Sequence, residues 1–473
     1  MKTSTTFPAS VLFCALFGAA ATTHAQTANR PPARDPGVRT GNIGAGQPLS
    51  GLSVSQIQFF VDGLARFNEV DSVGGAVAGE PGIGLGPGYN ATSCGACHAQ
   101  PSAGGTSPNA TSYPYVGVNP QVAAANDAGA SNAIPSFVTL DGPVVETRFP
   151  FVVSHGSLTS TPDGGVHDIY TIAGRGDAPG CTLAQPDYDQ MLALGNVIFR
   201  IPTPTFGAGL IENIPDATIL ANMNANASLK RQLGISGHPN YSGNDGSITR
   251  FGWKAQNKSL VIFAGEAYNV EMGVSNEQFP NERANPPASC LFNGTPEDHT
   301  NFDAAGAQIA SDTAAFATFM RLLAPPAPST SGIPGNPPLS SIQNGKSLFG
   351  QIHCDLCHTP VLQTGPSSIA SALAWQNAAL YSDLLVHHMG AGLSDQVSQG
   401  SAGADEFRTA PLWGLGQRVF FLHDGRATPR NGGLLAAIQA HASSGSEANS
   451  VVSSFNHLGE SQKQDMLNFL RSL

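Results

Sequence analysis

Apolar residues in this chain fall into helical stripes separated by long polar and glycine-rich stretches. Ile57, Phe60, Val61, Leu64 and Phe67 follow the 3.6-residue period, which predicts an amphipathic helix with Ser55 as its N-cap. Asp216-Ala217-Thr218-Ile219-Leu220 begins a second helix, and Ser311 caps a third with Phe316, Phe319, Met320 and Leu323 on one side. Ile342, Leu348, Phe349 and Ile352 mark a fourth, and Met466, Leu467, Phe469, Leu470 and Leu473 close the chain with a fifth. Between residues 137 and 180 the pattern shortens to β-like runs, Phe151-Val152-Val153 and Val166 to Ile172, bounded by Gly, Asp and Pro turns. Pro150 places the first run at a sheet edge or a strand start. Residues 26–50, rich in Pro, Gly and Thr, predict a poorly ordered lead-in, and the proline-rich stretch 324–338 reads as a linker.

Two short motifs sit at matching places in this pattern. Cys94-Gly95-Ala96-Cys97-His98 follows the first helix and a glycine-rich loop, and Cys354-Asp355-Leu356-Cys357-His358 follows the fourth helix. C-x-x-C-H is the attachment signature of c-type haem. Two thiols on one tight turn form thioethers to the haem vinyl groups, and the next His supplies the proximal iron ligand. Two C-x-x-C pairs can also hold zinc. Zinc ribbons, however, bring their pairs together within roughly 20 residues and need no His after each; these pairs stand at 94–97 and 354–357. The reading is therefore two covalent haems, with His98 and His358 as proximal ligands. Each half runs helix, motif, long loops, closing helix, the plan of a cytochrome c domain. The expected fold is mainly α, with two cytochrome c-like haem domains, the N-terminal one enlarged by an insertion with some β-structure. The expected boundaries are a signal peptide at 1–25, the N-terminal haem domain at 26–323, the linker at 324–338 and the C-terminal cytochrome c domain at 339–473.

Composition bears on compartment and partners. Lys2, the apolar run Val11 to Gly18 and the small-residue site Thr23-His24-Ala25 have the order of a secretory signal. The run is too short to span a bilayer, so a periplasmic or secreted protein without a membrane anchor is expected. The net charge of −11 argues against nucleic acid and anionic lipid as partners. Of seven cysteines, Cys14 leaves with the signal and four hold haems. Cys181 and Cys290 remain, and in an oxidising compartment they either pair or stay as free thiols, pairing being the commoner outcome.

Several blocks resemble one family, the bacterial di-haem oxidoreductases of the peroxidase and thiol-oxidoreductase kind. They are Leu85-Gly86-Pro87-Gly88-Tyr89-Asn90, Arg200-Ile201-Pro202, Phe206 to Glu212, Arg250-Phe251-Gly252-Trp253-Lys254-Ala255 and Val270-Glu271-Met272-Gly273. Further along come Tyr381-Ser382-Asp383-Leu384-Leu385, Arg408 to Leu415 and Phe421-Leu422-His423-Asp424-Gly425-Arg426-Ala427. That family is similar to the dihaem cytochrome c peroxidases and to the dihaem enzyme that matures methylamine dehydrogenase.

The resemblance implies an N-terminal haem with an open distal face for peroxide and a six-coordinate C-terminal haem that relays electrons. Trp253 matches the Trp between the haems, and Glu271 matches the carboxylate over the peroxide site, with Glu212 a second carboxylate candidate. A carboxylate over an apolar haem pocket can move a proton from the inner to the outer peroxide oxygen. The sixth ligand of the second haem is expected to be His441, with Met389 the alternative; imidazole lowers and thioether raises the potential. His423 reads as a structural hydrogen-bonding residue. Thr409-x-Pro411 matches a pattern whose carbonyls hold calcium in relatives. Phe263 stands where relatives carry Gln, eight residues before the acid. An apolar distal wall suits oxygen or an oily substrate, as in the dihaem rubber oxygenases, which are similar in plan. Three functions follow: a peroxidase or oxidoreductase drawing on a small electron-donor protein or redox carrier; an oxygenase acting with O2 on an apolar substrate; and a non-enzymatic electron carrier. Relatives are often dimers, which extends the expectation to a homodimer.

Overall fold

The first helix runs Val54–Phe67 and is capped by Ser53, not Ser55. Ser53 Oγ accepts from Gln56 N at 3.3 Å while Ser53 N donates to Gln56 Oε1 at 2.9 Å, a reciprocal box that satisfies two backbone donors. Phe60 and Phe67 are buried, but Ile57 and Val61 are 42% and 48% exposed, so the buried face is narrower than the apolar pattern implied. The face is set by Gly63, beside which the closing helix Asp312–Leu322 lies so close that a Cβ would collide with Ala315 and Phe319. Ser311 caps that helix, as its sequence indicates. The second half repeats the arrangement. Leu339–Gln351 packs along Glu460–Ser472, and Gly345 meets the Asp465 carbonyl and Phe469 where the helices touch. In both halves a glycine of the leading helix thus faces a phenylalanine of the closing one.

The computed structural model describes residues 1, 31–89, 91–107, 119–122, 133–167, 175–281, 287–301 and 310–473. The signal segment after Met1, Cys14, Asn90 and the part of the second predicted β-run beyond His167 lie outside them. Residues Ala33–Leu473 cluster as one unit and Met1–Pro32 as another. No helix among the described residues is long and apolar enough to cross a membrane.

The described chain is mainly helical with a local β-element. Glu146–Arg148 is the middle strand of an antiparallel sheet, flanked by Val166–His167 and Ile198–Arg200. Phe151–Ser154 pairs instead with Ser157–Pro162 through a turn at His155 and Gly156, both at positive φ. Cys181 and Cys290 form a disulfide that closes a 109-residue separation.

One large apolar cluster gathers the first helix pair and extends to Leu362, Leu373, Leu380 and Leu384 from the C-terminal half. A second surrounds the second helix pair. A smaller one joins Ile201, Trp253, Phe407, Val419 and Phe420. Of the lead-in, residues 26–30 lie outside the described residues, and from Ala33 on it is hydrogen-bonded into the fold, contrary to the expectation from composition. Arg39 N donates to Gly416 O at 2.8 Å, and the Asp35 carboxylate pairs with the fully buried Arg471 at 2.7 Å. Residues 324–338 are strapped to it: Ala324 N donates to Gln47 O and Ala327 N to Gly44 O. Proline and glycine preclude regular helix here, yet the backbone groups still find one another, as burial requires.

Candidate functional site

Each C-x-x-C-H motif lines its own cavity. The first opens above Cys94, Cys97 and His98. The motif is a single turn started by Ser93, whose Oγ accepts from Ala96 N at 3.0 Å. His98 Nδ1 donates to Gly105 O at 2.9 Å, which fixes the tautomer and leaves Nε2 with its lone pair. Burial lowers its pKa, so the ring is neutral and able to ligate. One wall is the three-stranded sheet, which presents Glu146, Arg148, Val166 and Arg200.

The opposite wall is the helix Leu260–Met272 with Phe263, Glu266, Val270 and Glu271. Ser259 caps it, and it ends at Gly273, which adopts φ +70° with no room for a Cβ beside the Tyr89 ring. The Glu-Met-Gly block is thus a helix stop that places Glu271 in the last turn. Burial, with the nearby Glu146 and Glu266 charges, pushes the Glu271 carboxyl up to about 8, while Arg148 opposes the shift. Glu266 is tied down instead, accepting from Asn257 Nδ2 and, at 3.5 Å, from Gln256 Nε2. Phe263 stacks on Phe251 with ring centroids 5.9 Å apart.

The second cavity is lined by Cys354, Cys357 and His358. His358 Nδ1 donates to Tyr381 O at 3.0 Å, so the Tyr381-Ser382-Asp383 block is the loop that orients this imidazole. His441 lines the same cavity and follows the same rule, with Nδ1 donating to Ala437 O at 2.7 Å. Burial, with the nearby His441 contributing, pushes His358 down to about 4. The structure therefore brings together two neutral imidazoles, each with Nε2 left over. Met389 also lines this cavity but packs in the cluster that holds Trp253. His423 is stacked on Phe407 at 4.1 Å, and burial holds it down at about 4.

Trp253 lines both cavities. Its indole Nε1 donates to Ile201 O at 2.9 Å and its carbonyl accepts from Arg408 N, so the ring cannot swing.

The donor set fits a haem in each cavity. Besides the thiols and imidazoles, Arg408 and Arg418 are buried in the lining of the second cavity, and burial pushes both down to about 10. Among the described residues Arg418 Nε and Nη2 find no hydrogen-bond partner, as expected of a guanidinium that would hold an acidic group such as a haem propionate. Calcium fits less well. The Thr409 carbonyl already accepts from Ser382 Oγ at 2.5 Å. The nearby cage of Gly403, Ala404 and Glu406 carbonyls with Asp395 is filled by the ammonium of Lys254. Calcium takes roughly six to eight oxygens, and Thr409 with Pro411 does not supply that set.

Glu212 lies elsewhere. It pairs with Arg321 at 2.6 Å and accepts from Leu260 N at 2.8 Å, fastening the start of the helix that carries Glu271. Sequence reasoning missed Gln256, Glu266, Glu146 and Arg148. Gln256, three residues after Trp253, puts a polar group beside the cavity despite Phe263, and its Oε1 has no partner among the described residues. It also missed His387, clamped between Asp383 and Glu447 at 2.9 and 2.8 Å and 3.8 Å from Cys357 Sγ. The His387-His388 pair in the sequence was the available signal. His387 with Asp383 and Cys357 forms a group with metal-ligand spacing, but a thioether at Cys357 would remove its thiolate.

Comparison with known proteins bears on the second motif, which the family match spans, while Cys94 to His98 precede the matched residues. The family described as "Di-haem oxidoreductase, putative peroxidase" matches residues 167–473. Among curated proteins no match is found. Among solved structures the chain is similar to a hydrazine synthase of Kuenenia stuttgartiensis, at 18% identity and a TM-score of 0.21, over 34% of this chain. The match spans 55% of that protein's chain, about half its length. It is also similar to a MauG-like protein associated with microbial copper homeostasis, at 17% identity and a TM-score of 0.27, over 57% of this chain and 90% of that one.

Proposed function

The chain belongs to the di-haem oxidoreductase family, and on that premise we propose that it reduces peroxide at the cavity of His98 with electrons arriving through the cavity of His358. The carrying observation is the asymmetry of the two cavities. The second holds a second imidazole, His441, within electrostatic reach of His358. Among the described residues no histidine but His98 lines the first, where carboxylates take that place. Each haem, attached through its cysteine pair, supplies an iron centre and a ring that takes and passes electrons. When the second haem is bound, His358 and His441 would together hold its iron, which would suit electron relay.

Glu271 is positioned to take a proton from an incoming peroxide and return it to the departing oxygen. With a pKa near 8 it exchanges protons readily at physiological pH. Gln256 and Glu266 hold the approach side polar, and Arg148 tempers the negative charge. Trp253, fixed by Ile201 and shared by both cavities, gives electrons an aromatic path. Periplasmic or secreted placement, a small redox protein as donor and a homodimer belong to the same reading. The Phe251–Phe263 stack favours one second reading, attack of O2 on an apolar substrate.

Titration of the purified dihaem protein with hydrogen peroxide, followed optically, separates the readings. A stoichiometric spectral change at one haem supports peroxide reduction. Inertness to peroxide together with a stable O2 adduct overturns it.

A further inference from the structure

Tyr268 is a buried phenol held between a buried acid, Asp71, and a partly exposed one, Asp312, an arrangement that the proposed reaction does not use. Its hydroxyl lies 3.3 Å from Asp71 Oδ2 and 3.4 Å from Asp312 Oδ2, so its one proton can be given to either, and the residue is 2% exposed. Aromatic contacts lead from it to the first motif. Tyr268 meets Phe316 edge-on at 5.1 Å, Phe316 meets Phe67 at 6.3 Å, and Phe67 meets the His98 ring at 6.1 Å. Phe316, Phe67 and His98 all line the first cavity. Asp312 in turn reaches the surface through Arg66, at 3.2 Å, with both side chains about one-quarter exposed.

We infer that Tyr268 is a redox-active residue that gives one electron to the N-terminal haem after that haem has reacted with hydrogen peroxide, while its phenolic proton passes to the Asp71/Asp312 pair. In this step the O–H bond of Tyr268 breaks. The electron cancels one of the two oxidising equivalents left by peroxide, the proton stays on a carboxylate, and a neutral tyrosyl radical remains. An electron from the external donor and the same proton later restore the phenol.

The pair is suited to receive that proton. Burial comes first, and the crowding of Asp71 and Asp312 with Glu69, Glu297 and Asp298 adds to it, lifting Asp71 to about 8 and Asp312 to about 6; Arg66 opposes the shift at Asp312. At neutral pH one carboxylate is therefore ionised and ready to accept. A phenol loses its proton as it loses its electron, because the oxidised phenol is a far stronger acid than a carboxylic acid and a carboxylate lies within reach of its O–H. Two acids in contact with one hydroxyl supply that outlet.

The inference rests on the peroxide reading, and the test separates the two. The dihaem protein is mixed with one equivalent of hydrogen peroxide without donor, and samples are frozen at intervals for optical and EPR spectra. We expect the haem spectrum to change first and an organic radical with tyrosyl hyperfine structure to follow. That structure should collapse when tyrosine is ring-deuterated. Tyr268→Phe should keep the resting haem spectra and lose the radical. In Asp71→Asn with Asp312→Asn the phenol keeps hydrogen-bonding partners but has no base, and radical yield should fall by at least about tenfold. A haem that does not respond overturns both readings. A haem that responds without a tyrosyl signal, or a signal that persists in Tyr268→Phe, overturns the role of Tyr268 alone. Should Tyr268→Phe lose its haem, the double Asn variant decides, and an undiminished radical there overturns the proton transfer.

Discussion

Glu271→Gln keeps the shape of the side chain in the last turn of its helix and removes its ability to hold or release a proton. Burial, then Glu146 and Glu266, raise the carboxyl from its ordinary 4.5 to about 8. If the ionised form accepts the first peroxide proton, roughly 1% of wild-type molecules are competent at pH 6 and about half at pH 8. The rate of the peroxide-induced Soret change should therefore climb about 50-fold across that interval and level off above it. The variant should be slower by roughly 10²–10⁴ at pH 8, with a flat profile. Stopped-flow mixing with hydrogen peroxide at constant ionic strength reads both quantities. Linkage gives an independent check. A raised folded-state pKa means the protein binds this proton more tightly than the unfolded chain does. That stability is complete below 4.5 and lost as pH rises through about 8. Glu271→Gln should thus match wild type in thermal unfolding at pH 5 and exceed it at pH 9. A variant with the wild-type rate and the wild-type pH profile would refute the assignment.

Other perturbations probe the frame around the site. His441→Ala should turn the low-spin signal of the C-terminal haem high-spin and leave the N-terminal signal unchanged; Met389→Ala doing so instead would reassign the ligand. Pyridine haemochrome analysis should give two covalent haems per chain, and a haem-stained denaturing gel should keep them. Arg471→Met should destabilise the fold by about 3–5 kcal/mol in denaturant unfolding, because Asp35 loses its buried partner. Burial alone would raise Asp35, but Arg471 and backbone donors hold it below 3.8. The wild-type contribution is therefore present above that value and lost as pH falls through the folded-state pKa.

The two haem motifs, the helix preceding each and the closing helices were legible because their signals are local: a fixed spacing, or an apolar stripe within one helix. The Glu-Met-Gly block was legible as a motif, but its reason is tertiary, since Gly273 is needed where the chain turns against Tyr89. Gln256, Glu266, Glu146 and Arg148 were not legible. Each is an ordinary polar residue until a helix start, a helix face and a sheet wall are folded around one cavity. Glu212 misled for the converse reason: its motif is real, but its partner Arg321 lies 109 positions away. Proline and glycine in the lead-in and in 324–338 signalled the absence of helix, and mutual backbone pairing, which composition does not encode, makes both segments ordered.

The central claim is that two covalent haems occupy unlike sites, one open and one closed by His441. Spin-quantified EPR of the resting ferric protein tests it most directly. The account predicts one high-spin and one low-spin haem in equal amounts per chain, whereas two low-spin haems would make the protein an electron carrier and contradict it.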